Sequence, residues 1–201
     1  MAPRTYQMTR RAAAASDTRR RIVEACSALH AERGLAATSM KDIAARADVG
    51  VGTVYHHFAT YDDVVIACRD HSMAVSRFPA PDIFDDVQPL AARTELLVDE
   101  LFAFYERFAP LDKLRPDRQK FPILDEALTR LERDTEALVA AALRPVRRDA
   151  KSIKVAVALV DYSVFHSLTT SGFSRRAAAT HVAEVLNAWL ARDARRNKET
   201  S

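Results

Sequence analysis

The residues best suited to contact chemistry lie between positions 39 and 58, SMKDIAARADVGVGTVYHHF. Ser39, Lys41, Thr53, Tyr55, His56 and His57 offer hydrogen bonds or charge, and Val51 offers a small apolar tip. Such a set fits the floor and walls of a DNA major groove. There polar side chains bond phosphates or base edges, and an apolar one touches a thymine methyl. Catalytic signatures are missing: the sequence holds no GxSxG, Walker loop, GxGxxG, HExxH or CxxC, so no enzyme is expected. The carboxylates of residues 125–136 fall mostly on a solvated helix face. Cys26 and Cys68 are far apart in the sequence and read as small buried hydrophobes, giving neither a disulfide framework nor a zinc site. Adjacent His56 and His57 point in different directions on a helix, so no metal and no cofactor is expected.

The elements that must position these residues read as all-α. Only four glycines occur, too few for the turns of a β-rich chain, and the prolines cluster at the edges of helical patterns. Residues 1–16 read as a flexible basic arm. A helix from Asp17 to Arg33 carries Ile22, Cys26 and Leu29 on one stripe, with Gly34 placed to end it. Ser39 and Asp42 have capping-box spacing for a second helix. A short turn follows, then a third helix over residues 51–57, with Ile43, Ala44, Ala47, Val49, Val54 and Phe58 inward. Thr60 and Asp63 open a fourth helix to about Arg77. This is helix-turn-helix arithmetic. Beyond it, residues 78–89 form a linker with one helical turn. Helices follow over 90–109, 122–143, 152–170 and 175–194, with an irregular charged connection at 110–121. The last helix shows Val182, Val185, Leu186, Trp189 and Leu190 as one stripe. The basic end, Arg192, Arg195, Arg196 and Lys198, reads as a frayed tail.

The stretch from Thr18 to Val64 resembles the TetR family of bacterial repressors. The resemblance rests on Ile22, Ala25, Leu29, Gly34, Thr38–Ser39, Ile43–Ala44, Ala47, Val49, Gly52–Thr53–Val54–Tyr55 and His57–Phe58. It implies a helical body, a homodimer, and release from DNA when a small effector binds. By position it implies phosphate contacts from Ser39, Gly50, Thr53, Tyr55, His57 and Tyr61, base-edge contacts from Val51 and His56, and either from Lys41. Three positions depart from the family. Asp48 stands where glycine is usual, Gly50 where serine often caps the recognition helix, and Tyr61 where lysine meets phosphate. Arg4, Arg10, Arg11, Arg19, Arg20 and Arg21 are expected to compensate.

Charge supports this partition. Residues 1–60 carry nine Lys/Arg against five Asp/Glu, whereas residues 61–143 carry ten against seventeen. A basic head suits a polyanion. The expected domains are the arm, a head over 17–66, and an effector-binding and dimerisation body over 67–201. A pocket for an apolar or aromatic effector is expected to be lined by Phe102, Tyr105, Phe108, Phe121, Tyr162, Phe165 and His166. Residues 152–170 and 175–194 are expected to form the dimer interface. The function so read is a DNA-binding regulator on a palindromic operator; the alternative is an architectural DNA-binding protein without effector. No apolar run approaches the ~18 residues of a spanning helix, and no signal peptide is legible, so the cytoplasm is the expected location.

Overall fold

The computed structural model describes residues 4–108, 111–144 and 149–199, with the side chains of residues 12–108, 111–144 and 149–192. Every regular element among them is helical, as the sequence requires. The chain divides into two compact units, Met1–Val75 with Ala109–Ala127, and Ser76–Phe108 with Leu128–Ser201.

The first unit holds α1 (Arg4–Arg33), α2 (Met40–Arg46), α3 (Val51–His57), α4 (Tyr61–Ser76) and the short α6 (Leu111–Leu114). The helix expected from Asp17 starts at Arg4. No glycine or proline interrupts residues 4–16, and the alanines and arginines there are strong helix formers. Asp17 sits inside the helix, its carboxylate 2.5 Å from Arg20. The side chains of Arg4, Arg10 and Arg11 lie outside the described residues.

One core joins these helices. Ile22, Cys26 and Leu29 of α1 pack with Met40, Ile43 and Ala44 of α2, with Val54 of α3, and with Val64 and Cys68 of α4. Each large aliphatic side chain so buried contributes about 1.5–3 kcal/mol. The expected inward set of the helix-turn-helix is this core, apart from Val49, which is only partly buried.

The segment expected to be an irregular connection is folded. Beyond α6 it forms a 3-10 turn over Arg115–Lys120, and Leu111, Leu114 and Asp117 are buried. It clamps the turn between α1 and α2. Gly34 adopts φ +82°, and a Cβ there would stand 2.7 Å from the Lys113 carbonyl oxygen and 2.8 Å from an Asp117 carboxylate oxygen. Only glycine fits both the left-handed backbone and the close approach. The Ala36 amide donates to Asp117 at 2.8 Å, and the Lys120 ammonium lies 3.0 Å from the same carboxylate. Burial pushes the Asp117 carboxyl up, but that amide and that ammonium outweigh it and hold it below its ordinary range.

The second unit holds α5 (Leu90–Arg107), the larger part of α7 (Pro122–Leu143), α8 (Ala150–Leu159), α9 (Tyr162–Thr170) and α10 (Arg175–Glu199). A single 3-10 turn, Pro81–Phe84, interrupts the expected linker. Leu97, Val98, Leu101 and Phe102 of α5 are buried, as are Ala178, Ala179, Val182, Ala183, Leu186 and Leu190 of α10. Thr94 donates to Asn187 at 2.5 Å, and Arg175 to Asp99 at 2.6 Å, fixing these two helices in register. Val185, a member of the expected apolar stripe, is 55% exposed in the single chain. It stands one position beside the stripe of small alanines that lets α10 approach its neighbour.

The helix expected over 152–170 is two helices. Asp161 takes an extended conformation, φ −64° and ψ 150°, and its carboxylate accepts the Ser163 amide at 2.8 Å. This N-cap starts a new helix inside an apolar run. At the other end, α10 continues to Glu199, past the expected Ala194. The side chains of Arg195, Arg196 and Lys198 lie outside the described residues.

Arg93 closes the C-terminus of α7 from within the second unit. It is 7% exposed, and its guanidinium donates to the carbonyls of Ala141 and Ala142, both at 2.9 Å, and to those of Phe84 and Val87. Cation and helix dipole favour each other there.

Candidate DNA-binding surface

α2 begins with the capping box that the sequence shows. Ser39 accepts the Asp42 amide at 3.3 Å, and Asp42 accepts the Ser39 amide at 2.9 Å. The Ser39 hydroxyl and amide hold the Asp42 carboxyl below its usual range, with Arg33 adding to the effect. Arg46 pairs with Glu32, tying α2 to α1. Thr60 and Asp63 form the second expected box, at 2.9 and 3.1 Å.

The turn between α2 and α3 rests on Asp48, whose φ is +52°. An aspartate tolerates this left-handed conformation better than most side chains. Arg21 of α1 fastens it, donating to the carbonyls of Ala47 and, at 3.1 Å, Asp48. Of the arginines expected to meet phosphate, three are thus employed elsewhere. Arg21 holds the turn, Arg19 lies 4.7 Å above the Phe58 ring, and Arg20 pairs with Asp17 and Glu24.

α3 follows with Gly50 as its N-cap, without a side-chain cap bond. Val54 is its only buried residue. Val51 and Tyr55 are 44% and 53% exposed. Ser39, Lys41, Gly50, Gly52 and His56 are also exposed, and Thr53 and His57 half-buried. The His56 and His57 rings meet edge to face, 5.4 Å apart. A Cβ on Gly52 would meet nothing within 4 Å, so packing within the chain does not demand that glycine. The face of α3 opposite Val54 performs no described structural task.

Tyr61 does not belong to that surface. Its hydroxyl donates to the Leu35 carbonyl at 3.0 Å and lies 2.8 Å from His30 Nε2. Burial pushes its pKa up. Tyrosine at this position replaces a surface contact with an internal one, because its ring packs on the head and carries its hydroxyl inward.

The expected effector lining is brought together only in part. Phe102, Tyr105, Tyr162, Phe165 and His166 form one ring cluster, with Phe102 and Phe165 5.2 Å apart and Tyr162 stacked on His166 at 5.6 Å. Phe108 is attached at its edge through Phe104, 5.0 Å away. Phe121 is not a member. It belongs to the first unit, where its ring lies 6.3 Å from Tyr61. A cleft in that unit is lined by Ser16, Arg19, Arg20, Val23, Ala67, Asp70 and His71, none of which the sequence pointed to as ligand-binding.

Two features escaped the sequence reading. One is Arg93. The other is the meeting of the two cysteines, which are distant in sequence but adjacent in the head core with His30 between them. The hydrogen bond with Cys68 and then burial push the Cys26 thiol up, and the same bond draws Cys68 down. The available signal was the i, i+4 spacing of Cys26 and His30 on one helix face.

The first unit is therefore a helix-turn-helix head whose second short helix exposes Val51, Tyr55 and His56. Ile22 to Cys68 match the sequence profile of bacterial regulatory proteins, tetR family. Through this head the chain is similar to the TetR family. It is 54% identical over 50 residues to the HTH-type transcriptional repressor Rv3405c of Mycobacterium tuberculosis, a match covering 25% of this chain and 27% of that one. In these matches the chain spans about a quarter of the length of the curated relatives. A longer match, 28% identical over 188 residues, covers 86% of this chain and 81% of the HTH-type transcriptional repressor KstR of Rhodococcus jostii. Among solved structures, the transcriptional regulator FadR of Bacillus subtilis in complex with stearoyl-CoA shares the fold. Its TM-score is 0.61 at 16% identity, covering 83% of this chain and 96% of that one.

Proposed function

We propose that this chain is a DNA-binding transcriptional regulator, not an enzyme, and that it acts as a repressor on a palindromic operator. The observation that carries the reading is the outer face of α3, where Val51, Tyr55 and His56 are exposed while Val54 alone anchors the helix. On this reading Val51 and His56 meet base edges. Thr53, Tyr55, His57 and Ser39 meet phosphates, Lys41 meets phosphate or a base edge, and Gly50 lets the DNA backbone approach. Tyr61 is left out, since its hydroxyl is used internally. Two relatives named as repressors support the direction of regulation.

One short recognition helix reads too few base pairs for useful specificity, so two copies are required. Val185 and Phe173, 55% and 40% exposed on and beside α10, are among the apolar residues available to a second copy. The effector is a small, largely apolar molecule taken up at the aromatic cluster of the second unit. FadR, which shares the fold, was solved with stearoyl-CoA, a ligand with a long apolar acyl chain and a charged head.

Selection from random DNA is the deciding experiment. The expected outcome is an inverted repeat whose half-sites are spaced by about one helical turn, ~34 Å, or a multiple. Recovery of sequence-independent binding alone would refute the regulator reading in favour of an architectural one. An effector found by thermal shift should bind the free protein more tightly than the operator-bound protein, by the factor that it weakens DNA binding.

A further inference from the structure

We propose that Cys26, His30 and Cys68 form a binding site for a thiophilic metal ion inside the head, with copper(I) favoured over zinc(II). All three side chains are buried, and one ligand atom from each lies within 4.8 Å of the others. His30 Nδ1 stands 3.7 Å from the Cys26 sulfur and 3.7 Å from the Cys68 sulfur. With metal–sulfur bonds of about 2.3 Å and metal–nitrogen bonds of about 2.0 Å, a nitrogen and a sulfur on one ion stand about 3.5–3.7 Å apart and two sulfurs about 3.8–4.0 Å apart. Both nitrogen–sulfur separations match this spacing, and all three ligand atoms lie within 4.8 Å.

The orientation of the imidazole is set from outside the cluster. The Tyr61 hydroxyl spends its proton on the Leu35 carbonyl, 3.0 Å away. The oxygen left at 2.8 Å from His30 Nε2 can then only accept, so Nε2 carries the ring proton. Nδ1 is left with its lone pair free for a metal, 3.7 Å from each sulfur, while the Cys26 sulfur lies 3.6 Å from Nε2 as well. A ligating histidine held through its other nitrogen is the usual support of a metal site. Ser27 completes the surroundings, its hydroxyl 3.4 Å from the Cys68 sulfur and 2.8 Å from that of Ser72.

Ligand type and number choose the metal. Two thiolates and an imidazole are soft to borderline donors and select copper(I) or zinc. Structural zinc is almost always four-coordinate. Among the described residues no carboxylate, and no further cysteine or histidine, joins the group. Three ligands suit copper(I) without a fourth. An ion held there would tie α1 to α4 at the point where Tyr61 reaches Leu35, directly before α2.

The test uses the full-length protein, reduced and free of oxygen. Copper(I) is titrated in competition with a chromophoric copper(I) chelator, and zinc(II) in a separate arm with a zinc chelator. The expected result is one copper(I) per chain, a raised unfolding midpoint, and loss of that binding in Cys26→Ala and in Cys68→Ala. Tyr61→Phe keeps one ion per chain but loses about 10–100-fold in affinity, as removal of an outer-shell partner does. X-ray absorption of the copper-loaded wild type should show two sulfur neighbours and one nitrogen, a reading that needs no variant to fold. Equal competition by wild type and the double cysteine variant in both arms would overturn the site, as would a copper environment of nitrogen and oxygen only. Stoichiometric binding of zinc with none of copper would overturn the choice of metal.

Discussion

The outer face of α3 and the aromatic cluster of the second unit hold similar residue types in opposite circumstances. On α3, Val51, Tyr55 and His56 project into solvent and support nothing. In the cluster, Phe102, Tyr105, Tyr162 and Phe165 are buried ring against ring. A residue without structural work can be kept for binding alone, so its removal separates function from stability. A residue inside a filled cluster cannot be separated in this way, since ligand binding there must displace or reshape packing that holds the unit together.

Alanine substitution is the most direct way to break this comparison. Phe102→Ala should cost about 3–5 kcal/mol, the range for a buried aromatic ring, measured by urea denaturation without any ligand. A cost below about 1 kcal/mol would show the cluster to be loosely filled and closer to a ready pocket. Arg93→Met, which strips donors from four carbonyls, three of them in buried bonds, should cost about 3 kcal/mol. Normal stability in that variant would mean that water replaces the guanidinium.

Asp117→Asn tests the head in the same terms and should cost about 1–2 kcal/mol at neutral pH. The Asp117 carboxyl is depressed in the folded chain. Its contribution is therefore whole above the unfolded value of about 3.9 and is lost as pH falls through the lower folded value. Thermal melts across that window should show the variant and the wild type converging. The smallest stability effects belong to α3. Gly52→Ala should stabilise by about 0.5–1 kcal/mol, because a helical glycine with open space above it wastes conformational entropy. Tyr55→Ala should move stability by no more than about 0.5 kcal/mol. Both should weaken operator binding about tenfold, ~1.4 kcal/mol, in a titration at fixed salt. Unchanged DNA binding in both would remove α3 as the reading surface.

Legibility in the sequence followed the same division. The caps at Ser39 and Thr60, the bounds of α3 and the glycine stop at Gly34 are local signals, written in residues three or four apart. The cluster of the two cysteines with His30, the fold of α6 beneath Gly34 and the inward turn of Tyr61 depend on residues brought together over dozens of positions. No periodicity encodes them. The break at Asp161 was local, an Asp with Ser two residues later, but the apolar run around it outweighed the cap. Val185 lies on the expected stripe but stays exposed in the single chain, because five apolar residues at helical spacing cover more of the helix than one neighbour within the chain can bury. Alanines 178, 179 and 183, ordinary in a sequence, mark the true contact face.

The clamp on Gly34 also has a consequence for synthesis. The first unit is not a continuous stretch of chain: its last pieces, α6 and the turn holding Asp117, arrive only with residues 109–127. Between them and Val75 the ribosome must make all of α5. At typical rates of 5–20 residues per second, the head waits roughly 3–10 s after α4 emerges before it can close. A polypeptide ending at residue 75 would contain the whole helix-turn-helix and still lack the partners of Gly34 and Ala36. The shortest fragment able to test DNA binding by the head is therefore not the one the helix-turn-helix delimits, and a truncated head should be sensitive to proteases at residues 34–38.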